Sequence, residues 1–268
     1  MKRARRGFTV TEVLVAAGLA LLVLTLLGIS LSLVRRLLQT TTSASDSSLR
    51  LRGAYLDLSS ELRETSFSHC RVLAVPGSGR GLLGDAVWFC SGQDPATGRT
   101  LRGGHGGPHW QRNILYYPAI PGNHDELYGV SCPATDDADG YDVGCSHKIL
   151  VRKVIDSPPA TPSDPNKPPE ELLSFTDIVG YISNPSQLMM SPTGPNGQED
   201  AKLVAQQMVS FRASMHPSTA QPSASHIKIA MVSLSAEEAQ SQTRPEGRDA
   251  SNLPGSEAME FSVYPESR

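Results

Sequence analysis

Acid is missing from the first six residues of the chain, although Lys2, Arg3, Arg5 and Arg6 are all basic. Charge of either sign is missing from Val13 to Val34, and so is proline. An uncharged run of roughly 22 residues makes about 33 Å of helix, enough to cross a bilayer core of about 30 Å. Without proline the run has no proline-driven kink. It is longer than the apolar core of a cleaved secretory signal, and no A-x-A site follows it closely, which excludes that reading. Features of reactive sites are missing too. None of the four cysteines stands in C-x-x-C spacing, which disfavours a redox motif or a zinc ribbon. There is no G-x-S-x-G. The seven histidines (His69, His105, His109, His124, His147, His216 and His226) are scattered, and their spacing offers no nucleophile–base pair. The expectation is a protein that is not an enzyme. Nor is base in excess. Net charge is −3, and −7 without the four basic residues at the start, which argues against a broad nucleic-acid surface.

What is present begins with Gly7-Phe8-Thr9-Val10-Thr11-Glu12. Glu12 is an ionisable residue at the edge of the apolar run, where a charge is costly unless it is paired. Arg35 and Arg36 close the run. Basic head, Gly-Phe, Glu and uninterrupted apolar run together resemble the class III signal of type IV pilins and of the pseudopilins of type II secretion. The resemblance implies processing by a prepilin peptidase between Gly7 and Phe8, N-methylation of Phe8, and a role for Glu12 in assembly. It implies an α+β, pilin-like fold, a long N-terminal helix packed on an antiparallel β-sheet. The expected divisions are a leader over 1–7, a transmembrane or filament-core helix over 8–34, an amphipathic helix over 35–68, and a β-rich exported domain over 69–268. The basic head puts the leader in the cytoplasm, while Arg35 and Arg36 weaken that asymmetry. The resemblance itself supplies the outward orientation.

Beyond the run, Thr40 to Ser48 is a Ser/Thr-rich patch of poor helix propensity. Leu51, Tyr55, Leu58 and Leu62 then recur on one helical stripe, which predicts one long helix from about Phe8 to Ser66. The remainder reads as β-rich, with strands expected at Ala86–Ser91, Asn113–Tyr117, Lys148–Ile155, Leu203–Met215, Ile227–Leu234 and Met259–Tyr264. Gly and Pro mark loops at Gly77–Gly84, Gly92–Pro108 and Asp156–Pro169, and Gln240–Gly255 is another polar connection. The runs Val204–Met215 and His226–Met231 are similar to the late strands of W-type minor pilins and J-type pseudopilins. Phe261–Pro265 is similar to their final strand, although Glu266-Ser267 follows where Arg-Asn is frequent.

Four cysteines suit an oxidising compartment. Of three possible pairings, Cys70 with Cys90 and Cys132 with Cys145 are favoured because each closes a local loop. Asp136, Asp137, Asp139 and Asp142 crowd around Gly140, a composition that suits calcium, although the match to an EF-hand loop is poor. His105, His109 and His124 lie in Gly-rich connections and are a second candidate metal set. The function implied is that of a minor pilin that primes or caps a type IV pilus. Its partners would be the prepilin peptidase, the inner-membrane assembly platform, other minor pilins and the major pilin. The subunit would wait in the inner membrane as a single-pass protein before entering a filament at the cell surface. The alternatives are a J-like pseudopilin of a type II secretion system, and a membrane-tethered binding or enzymatic domain unrelated to filaments.

Overall fold

A computed structural model describes residues 9–94, 97–104, 106–122, 124–129, 131–182, 197–234 and 256–265. The chain divides into two compact units, Met1–Ser43 and Ala44–Arg268, and helix α1 (Val10–Arg63) contributes to both. In the first unit the span Val10–Val34 is long and apolar enough to cross a membrane. Its large side chains are exposed, with Leu14 at 67% and Leu31 at 69%. Two hydroxyls inside the span are satisfied locally: Thr25 and Ser32 donate to the carbonyls of Leu22 and Ile29 at 2.8 Å. Internal bonding of this kind is what a hydrocarbon environment demands of polar groups.

The second unit is built on the amphipathic half of α1. Leu51, Ala54, Leu58 and Leu62 are all essentially fully buried, at the helical spacing the stripe predicted. Tyr55 lies at the margin of this stripe, edge-on to Phe261 with ring centroids 4.7 Å apart. Seven strands follow, β1 (Cys70–Gly77), β2 (Arg80–Ser91), β3 (Arg112–Ala119), β4 (Lys148–Ile155), β5 (Gln198–His216), β6 (His226–Leu234) and β7 (Ser256–Val263). They form one antiparallel sheet in sequence order. The sheet curls, so that β5 comes back against β2. A Cβ on Gly84 would sit 2.5 Å from the Phe211 carbonyl oxygen, and Asp85 accepts the Ala213 N–H at 2.8 Å. Only glycine permits that approach, and the φ of +151° at Gly84 also favours it.

Alternation along the strands creates two cores. Val87, Phe89, Ile114, Tyr116 and Leu150 face α1. Ala86, Trp88, Leu115, Tyr117 and Val151 face the other way and are covered by Ile178, Tyr181 and Ile182 of helix α3 (Phe175–Ile182). The short helix α2 (His124–Tyr128) lies between β3 and β4 in the chain. Polar contacts tie α1 to the sheet at three levels: Arg50 donates to Gln207 at 2.7 Å, Lys202 pairs with Asp57 at 2.7 Å, and Arg152 forks onto Glu61 at 2.7 to 3.2 Å. Gln207 has a φ of +57° and sits where β5 bulges to change register against β4.

Two sequence expectations need correction. The loop expected over Gly77–Gly84 is largely a hairpin: Gly77 pairs with Arg80 across a two-residue turn whose second residue, Gly79, has a φ of +72°. The bond expected between Cys70 and Cys90 is not formed, and both thiols are free and buried. Cys70 stands opposite Phe89 in the β1–β2 ladder and shares its face. Cys90 is the next residue along β2, so its side chain leaves the opposite face of the sheet. Gln240–Gly255 lies outside the described residues.

Candidate functional site

Gly7 and Phe8 lie outside the described residues; Glu12 does not. Thr9 precedes the first residue of α1, and its side chain and that of Glu12 close on each other. The Thr9 N–H and hydroxyl donate to Glu12 Oε2 at 2.9 and 3.0 Å, and the Glu12 N–H donates to Thr9 Oγ1 at 3.3 Å. This is a capping box, two N-terminal donors satisfied by a reciprocal pair three residues apart. Its sequence signal is Thr-x-x-Glu before an apolar run, Thr9 to Glu12.

In the second unit, the groups singled out by sequence gather around one clasp. Cys132 and Cys145 are bonded, with their Cα atoms 4.8 Å apart and a separation of 13 in sequence. A loop of this size gains about 3 kcal/mol from closure in the chain-entropy account. The acidic loop lies inside the clasp, with its two limbs hydrogen-bonded together: Asp136 bridges to Asp142, and the Val143 and Gly144 N–H groups donate to the Thr135 carbonyl at 2.8 and 3.1 Å. Asp136 accepts the Gly81 N–H at 3.0 Å. Asp137 accepts the N–H groups of Asp139 and Tyr141, each at 3.0 Å. Asp137 and Asp139 both pair with Arg212, whose guanidinium lies 4.2 Å from the centroid of the Tyr141 ring. Asp142 is buried and turned the other way, toward Arg80 at 3.2 Å and Lys148 at 3.9 Å. Asp137 and Asp139 therefore share Arg212, while Asp136 and Asp142 serve other partners. Asp136, Asp137, Asp139 and Asp142 do not converge on one coordination sphere, and as arranged they do not fit a calcium ion.

The histidines redistribute in the same way. His105 lies outside the described residues. His109 is buried 3.3 Å from the Pro162 carbonyl. His124 accepts the Cys132 N–H at 3.4 Å, and its ring lies 6.3 Å from that of His147. His147 itself was not singled out by sequence, yet its Nδ1 is 3.4 Å from Cys132 Sγ. The ligand atoms of Cys132, Cys145 and His147 all lie within 4.8 Å of one another, and all three residues are buried. A cavity of about 520 Å³ is lined by two neighbours of Cys132, Arg80 and His124, and not by the three ligand residues themselves. Leu73, Val75 and Ile182 line its walls, and Arg80 and His124 stand at the end nearest Cys132, where Arg80 donates to the Cys132 carbonyl at 3.2 Å.

Elsewhere, burial is the largest influence on the two free thiols and on Asp85. It pushes the Cys70 thiol up to about 12 and the Cys90 thiol higher still, so neither is a reactive thiolate at neutral pH. Burial raises Asp85 above the usual carboxylate range, although the Tyr141 hydroxyl and the Ala213 N–H both donate to it. Comparison of the chain with protein-family models, with curated proteins and with solved structures gives no match.

Proposed function

We propose that this chain is a filament subunit of the type IV pilin kind, a minor pilin that primes or caps a pilus. The observation that carries the reading is the division of labour along α1. Its first part is an exposed apolar span beginning at a capped glutamate. Its second part is an amphipathic helix with a buried stripe, seated on an antiparallel sheet. A plain membrane tether needs the apolar span alone. It has no use for Gly-Phe ahead of the span or for a carboxylate at its edge.

On this reading a prepilin peptidase cuts after Gly7 and methylates the new amine of Phe8. That amine has an ordinary pKa of about 7.7–8.0 and is largely cationic at neutral pH. A cation at a helix N-terminus is opposed by the helix dipole and by nearby hydrocarbon. Glu12, one turn further on, is within the range in which it can neutralise the amine of its own chain or of a neighbour. Its bonds to Thr9 hold the carboxylate at the end of the helix, where either amine would arrive. The subunit waits in the inner membrane and then packs its apolar helix against those of other minor pilins and the major pilin.

The processing step is tested by Gly7→Val, because a bulky residue before the cut blocks entry of an extended leader into a protease. Intact-mass measurement on the membrane fraction is expected to show the full-length chain for the variant and a chain beginning at Phe8 for the wild type. A variant of mature mass would overturn the assignment.

A further inference from the structure

We propose that Cys132, Cys145 and His147 form a zinc site whenever the Cys132–Cys145 bond is reduced, so that a metal ion replaces the covalent clasp on the acidic loop. The first argument is spacing. Two thiolates and an imidazole nitrogen on a tetrahedral zinc, at about 2.3 Å for sulfur and about 2.0–2.1 Å for nitrogen, stand roughly 3.5 Å from sulfur to nitrogen and roughly 3.8 Å from sulfur to sulfur. His147 Nδ1 is already 3.4 Å from Cys132 Sγ, and all three donor atoms fit within 4.8 Å. Reduction needs only to let the two sulfurs part by the difference between a bond and a shared ligand sphere.

The second argument is that the backbone holds the donors together without the bond. The limbs of the loop are joined by the Asp136–Asp142 bridge and by the donations of Val143 and Gly144 to Thr135. At Gly144 a Cβ would lie 2.2 Å from the Pro133 carbonyl oxygen, so the residues beside the two cysteines are in direct backbone contact. Cys145 and His147 are two residues apart just ahead of β4, and both turn to Cys132. The third argument is charge. A divalent ion and two thiolates cancel, which suits residues no more than 8% exposed. The fourth ligand would be a water, since His124 Nε2 already faces the Cys132 N–H at 3.4 Å and Asp125 at 2.7 Å.

The chemistry balances with a dithiol as the co-reactant. The dithiol gives two electrons and two protons and becomes a disulfide, while the Cys132–Cys145 bond becomes two thiols. On binding zinc each thiol releases its proton to water, and its sulfur donates an electron pair to the metal. Imidazole binds neutral.

The full chain, purified in detergent without oxygen and reduced with a non-chelating phosphine, tests this directly. It is expected to retain one equivalent of zinc after gel filtration, and the oxidised chain none. Cobalt substituted for zinc should give a thiolate-to-metal charge-transfer band together with the visible bands of a tetrahedral ion. Because Cys70 and Cys90 are also free thiols, Cys70→Ala/Cys90→Ala is the control and should bind zinc as the wild type does, while His147→Ala should lose it. Zinc binding that is absent on reduction, unaffected by His147→Ala, or abolished by the Cys70/Cys90 double variant would overturn the proposal.

Discussion

Lys153 carries an ammonium group into the core on the α3 side of the sheet. It is fully buried, donates to the Tyr181 carbonyl at 2.6 Å and lies 5.5 Å from the centroid of the Tyr117 ring. Burial pushes its pKa down to about 8 from an ordinary 10.5. Between those values the unfolded chain holds a proton that the folded chain has released, so this group makes stability rise with pH. The penalty is present in full below pH 8 and gone above 10.5, and amounts to about 3 kcal/mol at most. Lys153→Met removes the titration. In melting experiments on the full chain, wild type is expected to gain on the variant from pH 8 upward. The buried tyrosines and thiols titrate alike in both proteins and cancel in the difference. A constant gap across that range would contradict the assignment. Glu12 shows how a residue acquires a second reading. From sequence it is a charge at the edge of an apolar run with an expected role in assembly, and in the structure it is also half of a helix cap.

At the scale of elements, α1 and the sheet depend on one stripe. Leu58 is completely buried in it, and Leu56, two residues earlier, is 61% exposed. Leu58→Ala is expected to cost about 2–5 kcal/mol in urea unfolding, and Leu56→Ala no more than about 0.5 kcal/mol. Equal effects would mean that the helix does not pack by this face. The stripe was legible because helical spacing and burial coincide over Leu51, Leu58 and Leu62. β4 was legible to its ends, Lys148 and Ile155, despite two buried lysines, because Ile, Leu and Val surround them. β1 was not. It ends in Pro76 and Gly77, residues tolerated there because β1 is an edge strand that bulges at that point. α3 was missed because eight residues are too few for a periodic pattern, even though Ile178, Tyr181 and Ile182 are its buried face. The Cys70–Cys90 bond failed on parity. Loop length brings two cysteines near each other, but a one-residue offset in register decides which face each one takes.

For the whole molecule, what composition and order reveal is the architecture: an apolar span first, then an amphipathic helix, then antiparallel strands. The clasp was only half legible. Cys132 and Cys145 could be paired by proximity, but that Arg212 and Arg80 neutralise the acidic loop depends on strands distant in sequence, and that His147 turns to Cys132 depends on how the chain enters β4. The account as a whole rests on Glu12 acting by charge between subunits, and a pair of substitutions separates that role from capping. Gln keeps the capping geometry at this position and removes the charge; Ala removes both. Both variants should insert and be cleaved as wild type is, with the melting of the folded sheet domain unchanged. The decisive measurement, on the proposed function, is the fraction of each variant that co-purifies with pilins from membranes and from sheared filaments. The account predicts that Glu12→Gln and Glu12→Ala fall together, well below wild type. Incorporation of Glu12→Gln at the wild-type level would contradict it.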